Sequence, residues 1–268
     1  YFDFYLFHNV CEMNIDAYLD EKYGIFDYLM KQKEKGRIRH LGFSAHGSYD
    51  VMKRFLDAYG EHMEFCQIQL NYLDWSFQNA KDKVELLNAH HIPVWVMEPL
   101  RGGRLASLSA EDSDRLKALR PDEDVPAWAF RFLQGIPEVK MILSGMSDFA
   151  QMQDNIHTFE TDKPLDEQEK KVLFEIADSM VKHIALPCTA CRYCTSHCPQ
   201  ELDIPMLLEL YNEHCFTGGG FLAPMALQAV PKEKQPGACI GCKSCEAVCP
   251  QQIKISEAMA DFAEKLNG

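Results

Sequence analysis

Five short β-rich runs alternate with stretches of helical periodicity, and the last third is crowded with regularly spaced cysteines. Together these predict an α/β chain in two parts. The first reads as a partial (β/α)8 TIM barrel of about five βα units, followed by a small, mainly α-helical domain organised by its cysteines. The chain has 268 residues, 47% hydrophobic and 25% charged, a balance that excludes wholesale disorder. No apolar run approaches the ~20 residues of a membrane span, and no basic-then-apolar signal opens the chain. Twenty-seven Lys and Arg against forty Asp and Glu leave a net charge of −13. Nucleic acid and anionic membrane both need a basic footprint, so neither is an expected partner.

The strands are placed at Phe2–Phe7, Ile38–Ser44, Phe65–Leu70, Pro93–Met97 and Lys140–Ser144. Helical stretches fall near Glu21–Lys35, Tyr49–Ala58, Ala80–His90 and Pro126–Leu133. This alternation implies parallel strands joined by right-handed crossovers. No Gly-x-Gly-x-x-Gly follows a strand, which favours a barrel over an open, doubly wound sheet.

Barrel enzymes keep their chemistry at the C-terminal ends of the strands. Here those ends carry His8 and Asn9, then Ser44 and His46, then Gln67, Gln69 and Asn71, then Glu98, then Ser144. A single polar residue at a strand end is often only leaving the core. Five ends alike point to a site.

The cysteines give the sharpest signal. Cys188-x2-Cys191-x2-Cys194-x3-Cys198-Pro199 recurs as Cys239-x2-Cys242-x2-Cys245-x3-Cys249-Pro250. A secreted disulfide scaffold would be short and led by a signal peptide. Zinc ligands come as two separated pairs, so zinc knuckles are the weaker alternative. A cubane cluster takes three thiolates from one tight loop and a fourth from elsewhere, and this spacing supplies both. The expected sets are Cys188, Cys191, Cys194 and Cys249 for one [4Fe-4S] cluster, and Cys239, Cys242, Cys245 and Cys198 for the other. Ile204–His214 and Ile253–Leu266 read as amphipathic helices, so this part resembles the helical two-cluster ferredoxin modules of larger redox enzymes. Cys11, Cys66 and Cys215 are expected as buried thiols. His197 is either a hydrogen-bond donor to a cluster sulfur or an exposed loop residue.

Tyr1–Asn9 (YFDFYLFHN), Gly36–Ser44 (GRIRHLGFS), Gln67–Asn71 (QIQLN), Val96–Gly103 (VMEPLRGG) and Ser144–Asn155 (SGMSDFAQMQDN) resemble the later strands of the aldo-keto reductases. With the two cysteine runs, the chain is similar to the branch that carries a C-terminal iron–sulfur module. The resemblance implies an eight-stranded barrel that reduces carbonyls to alcohols with NADP or NAD. It also implies a tetrad of Asp, Tyr, Lys and His, in which the tyrosine acts as general acid. His8 matches the family histidine. The other three belong to strands preceding Tyr1, so the chain is expected to be a fragment lacking about three βα units and inactive by itself. A half-barrel completed by another chain is the alternative.

By the same resemblance Ser44 and Gln67 flank the nicotinamide amide, and Pro99 and Leu100 the pyrophosphate. Ser144, Gly145, Asp154 and Asn155 lie at the adenosine end. Met97 stands where many members stack a tyrosine, and Gln151 where NADP-preferring members have an arginine. Arg101 and Arg104 are either phosphate ligands from the next loop or ordinary solvated arginines.

Expected domains are the partial barrel over 1–161, a helical connector over 162–186 and the two-cluster domain over 187–268. The resulting expectation is a cytoplasmic, nicotinamide-linked oxidoreductase with an attached electron relay. It would act on a small carbonyl or alcohol, and a flavoprotein or other redox partner would split the hydride's electron pair. The alternative is an electron-transfer or structural iron–sulfur protein on a degenerate barrel.

Overall fold

The computed structural model describes residues 1–182, 186–188 and 190–267, so residues 183–185 of the expected connector lie outside the described residues. The chain divides into two compact units, Tyr1–Asp178 and Ser179–Gly268.

In the first unit, β1 (Phe2–Val10), β2 (Ile38–Ala45), β3 (Cys66–Gln69), β4 (Val94–Met97) and β5 (Val139–Ile142) form one sheet. The strands lie in sequential order and every neighbouring pair is parallel. A doubly wound sheet reverses its strand order at a switch point, and this one does not. The sheet is an arc of a barrel. Helices α1 (Ile15–Leu19) and α2 (Ile25–Glu34) follow β1, and α3 (Tyr49–Tyr59) follows β2. Next come α4 (Asp74–Phe77) and α5 (Ala80–Ala89) after β3, and α6 (Ala110–Leu119) and α7 (Val125–Gln134) after β4. After β5 come α8 (Phe149–Phe159) and α9 (Glu167–Val181).

The strands sit where the sequence places them, with ends shifted by up to three residues. β1 runs on to Val10 because its register slips between Phe7 and Val10, with Asn9 at φ 53°. The sequence reading lacked α1 and α4, each too short to show a helical period, and also α6 and α8, which each bury a single residue and so carry no strong apolar stripe. Much of the expected connector belongs to this unit, since Leu173 and Ile176 of α9 are buried. Glu169 of α9 accepts two hydrogen bonds, each 2.6 Å, from the buried Arg120.

Period-two alternation divides each strand between two faces. On one face Phe7 of β1 and Phe43 of β2 pack on Phe55 of α3. On the other, Phe4, His40 and Trp95 of β1, β2 and β4 form an aromatic layer with Phe65, the residue before β3, with ring centroids 4.2–5.6 Å apart. Gly42 makes room for that layer: a Cβ there would lie 2.6 Å from the Phe65 ring. The two outer strands leave apolar side chains exposed, Phe2 at 61% and Met141 at 40%.

In the second unit α10 (Ile204–Thr217), α11 (Leu222–Leu227) and α12 (Ile255–Asn267) surround a core of Leu207, Leu208, Ala223, Met259 and Phe262. Asp203 caps α10 by accepting from the Met206 amide, with Pro205 in the first turn. The helix ends where Gly218 turns left-handed at φ 66° and the Gly219 amide donates to the His214 carbonyl at 3.0 Å.

The duplication of the cysteine run extends to the backbone. Ala190 and Gly241, Arg192 and Lys243, and Glu201 and Gln252 form equivalent pairs, and all six residues have positive φ. The Glu201 amide donates to the Cys198 carbonyl as that of Gln252 does to Cys249, at 2.9 and 3.0 Å. Ile204 then opens α10 and Ile255 opens α12.

Candidate metal centres and the polar end of the sheet

The two cysteine quartets surround two separate cavities. Cys188, Cys191, Cys194 and Cys249 line the first, with Pro205, Leu208, Ile253 and Ile255 as its apolar wall. Cys198, Cys239, Cys242 and Cys245 line the second, backed by Leu202, Ile204, Ile255 and Met259. The spaces measure about 320 and 340 Å³, part of each open to solvent. Ile255 lines both, so the sites are neighbours. In each quartet one thiol is exposed (Cys191, Cys242) and one is buried (Cys194, Cys245).

Among the described residues no three His, Cys, Asp or Glu side chains converge to hold one metal ion. The four thiols of each quartet stand around one space, the arrangement a multi-iron cluster needs. The backbone fits an anionic cluster as well. The paired left-handed residues, Ala190 with Arg192 and Gly241 with Lys243, bracket Cys191 and Cys242. Alternation of this kind turns successive N–H groups into a concave nest, a recurrent iron–sulfur setting. Burial pushes the Cys194 and Cys245 thiols up to about 11, so ligation there must release protons.

His197 lines neither cavity; its Nδ1 lies 3.0 Å from the Tyr193 carbonyl and 3.2 Å from the Ser196 hydroxyl. Cys11 and Cys66 are buried as expected, and Cys215 is only half-buried.

At the C-terminal end of the sheet, the register brings several expected residues together. Ser44 pairs with Gln67, and Gln69 with Met97. The buried Ser44 Oγ accepts the Asn9 amide at 2.8 Å, which ties the bulged end of β1 to β2. The half-buried Gln67 turns its amide toward the Met97 sulfur, 3.5 Å away. His8, next to the bulge, is exposed, and its carbonyl accepts the Tyr18 hydroxyl at 2.8 Å. Burial, with Lys83 and His8 nearby, holds His46 below the ordinary imidazole range.

After β5, Asn155 of α8 donates to the Ser144 hydroxyl at 3.1 Å, while Gly145 is exposed. Asp154 and Asn155 line a cavity between α7 and α8, together with Pro126, Ala127, Asp122 and Asp124. Arg131 and Lys163 also line it, and both pair with Glu123. Gln151 is occupied in the α8 cap: its Oε1 accepts the Ser147 amide at 2.7 Å and its own amide donates to Asp148 at 2.9 Å.

Pro99 is buried and Leu100 half-buried, on the turn after β4. Arg101 is not the ordinary solvated arginine that one sequence reading expected. It is buried and donates to the fully buried Asp74 at 2.9 and 3.1 Å. Asp74 carried no signal in the sequence, because an acidic residue after a strand normally reads as a solvated turn.

Residues 1–178 match the Aldo/keto reductase family, and residues 187–254 match the 4Fe-4S dicluster domain. Among curated proteins, subunit alpha 1 of the acetyl-CoA decarbonylase/synthase complex from Methanosarcina acetivorans is 33% identical over 91 residues, 34% of this chain and 9% of that protein. Its counterpart in Methanosarcina mazei is 30% identical over 90 residues, 34% of this chain and 10% of that protein. Among solved structures, the apo form of aldo-keto reductase AKR11C1 from Bacillus halodurans has a TM-score of 0.51 at 19% identity. That match covers 65% of this chain and 61% of the other. An aldo-keto reductase from Klebsiella pneumoniae in complex with NADPH also reaches 0.51 at 19% identity, covering 65% of this chain and 58% of its own. These likenesses are of fold, and the chain spans about three fifths of each reductase's length. No helix among the described residues is long and apolar enough to cross a membrane. Barrel units, crossed cysteine cavities and both family matches lead to one conclusion: the chain belongs to the aldo/keto reductase family of oxidoreductases and carries a 4Fe-4S ferredoxin-like domain behind its barrel units.

Proposed function

We propose that this chain belongs to a nicotinamide-linked reductase of small carbonyls, or dehydrogenase of the matching alcohols, with two [4Fe-4S] clusters serving as an electron relay. The observation that carries the reading is the meeting of Asn9, Ser44, Gln67 and Met97 at one end of the sheet, beside His8. Strand ends are where a barrel assembles its chemistry. The exposed apolar side chains of β1 and β5 support further strand–helix units pairing at both edges of the sheet.

In this reading His8 orients the substrate carbonyl by a hydrogen bond. Ser44 and Gln67 hold the carboxamide of the nicotinamide, and Pro99 and Leu100 adjoin the pyrophosphate. Ser144, Gly145, Asp154 and Asn155 receive the adenosine end, in keeping with the Asn155–Ser144 bond and the α7–α8 cavity. The acidic side chains of Asp122, Glu123, Asp124, Asp154 and Glu160 outnumber Arg131 and Lys163 in that cavity and oppose a 2′-phosphate, and Gln151 brings no charge to offset them. That favours NADH over NADPH. When bound, the nucleotide supplies hydride and the clusters exchange single electrons. A flavoprotein or similar partner that converts one into the other is part of the proposal.

The test is anaerobic mixing of the full-length, cluster-loaded protein with NADH or NADPH, alone and with a panel of small aldehydes and ketones. Nucleotide oxidation that depends on a carbonyl supports the reductase. Bleaching of the cluster colour by nucleotide and a flavoprotein together supports the relay. No nucleotide binding overturns the reductase reading and favours a pure electron-transfer protein.

A further inference from the structure

The turn that follows β4 is held in an unfavourable backbone shape. Glu98 and Arg101 take left-handed φ values of 57° and 48°, followed by Gly102 and Gly103 at 62° and 86°. Glycines adopt such angles freely, but Glu and Arg do so only when their surroundings force them. What forces them is buried polar structure. Asp74 is fully buried and accepts Nε of Arg101 at 2.9 and 3.1 Å, Gln69 at 2.8 Å and Asn71 at 2.7 Å. Asn71 also donates to the Glu98 carbonyl at 3.0 Å, and the Glu98 carboxylate accepts the Gly102 amide. The Arg101 guanidinium lies over the Phe77 ring, 5.4 Å from its centroid. An ion pair with almost no solvent contact is weak evidence for stability, since apolar side chains would serve as well. Its value lies in the one geometry it permits. Strain braced by a buried pair, at the functional end of a barrel, is the pattern of a pre-organised loop.

We propose that Asp74 and Arg101 are a positioning pair. They lock the strained turn, and with it Pro99 and Leu100, in the shape that receives the phosphates of a dinucleotide. Neither side chain touches the ligand. The inference rests on the nicotinamide reading above.

The test uses the full-length, cluster-loaded protein and the double variant Asp74→Asn/Arg101→Gln, which removes both charges and so strands neither in the interior. NADH and NADPH affinities are measured by fluorescence titration, beside thermal melting, cluster absorbance and hydrogen exchange at the amides of 100–103. The double variant is expected to keep its melting profile and cluster absorbance, to exchange those amides faster and to bind nucleotide about tenfold more weakly. The loss should fall on the KM for nucleotide, with kcat at saturation held within about twofold. Unchanged affinity in the folded variant overturns the proposal. Should that variant fail to fold, Arg101→Lys keeps the charge without the planar grip, and unchanged affinity there is equally fatal. If the wild type binds neither nucleotide, the cofactor reading falls by itself. Hydrogen exchange then decides the pair's role, and equal rates in wild type and variant reject it.

Discussion

Cys198 stands in the cavity of Cys245 and not in that of its near neighbour Cys194. Cys249 crosses over in the same way to join Cys188, Cys191 and Cys194. Each cysteine run therefore completes the lining of the other's cavity.

The crossing predicts which double variants are tolerated. Cys191→Ser with Cys249→Ser strikes one cavity twice and should keep about half of the iron and sulfide, because the second quartet is intact. Cys191→Ser with Cys198→Ser strikes both cavities and should lose nearly all of it. Iron and acid-labile sulfide analysis of the two variants decides the matter. The opposite pattern would mean that each run fills its own site.

Arg120 and Glu169 give a pH-dependent anchor for α9. Hydrogen bonds from Arg120 hold the Glu169 carboxyl below its ordinary value of 4.5. A depressed carboxylate stabilises the fold above its unfolded value, and that stability is lost as pH falls through the lower folded one. Urea unfolding of the first unit should thus show stability level near neutrality and falling below about pH 4.5. In Glu169→Gln that part of the fall should vanish. At pH 7 the variant should be less stable by about 3 kcal/mol, since Arg120 loses its principal partner in a buried setting.

Gly42 is dictated by packing. An alanine Cβ there would meet the Phe65 ring at 2.6 Å and its carbonyl closer still. That carbonyl is fixed by the Phe43 amide at 3.2 Å, so the backbone has little room to yield. Gly42→Ala should destabilise the barrel unit by about 1–3 kcal/mol, the usual range for overpacking. Near-ultraviolet circular dichroism should also show loss of the ordered Phe65–Trp95 stack, which has a centroid distance of 4.2 Å. A wild-type spectrum and midpoint would contradict the assignment.

The strand–helix alternation was legible because β-branched and aromatic runs of about five residues are too short for helices. The cysteine quartets were legible because a cubane's demand for three thiolates on one loop is met by spacing alone. α1, α4 and α11 were not, being too short to reveal a helical period, nor were α6 and α8, whose faces bury one residue each. The polar strand ends were legible as a group because successive parallel strands bring their C-terminal ends to one edge. The sequence order of the strands, the crossed ligand sets and the residue types at the site were thus determined locally, by period, spacing and chemistry.

The tertiary structure alone decided which partner each polar side chain took. Arg101 and Arg104 read alike in the sequence, yet Arg101 is buried on Asp74 while Arg104 is exposed. Gln151 could have faced a ligand and instead completes a helix cap. Burial and pairing are properties of where distant segments meet. Asp74 and Arg101 share one hydrogen-bonded network only because β3 and β4 lie side by side, and no local pattern encodes that meeting.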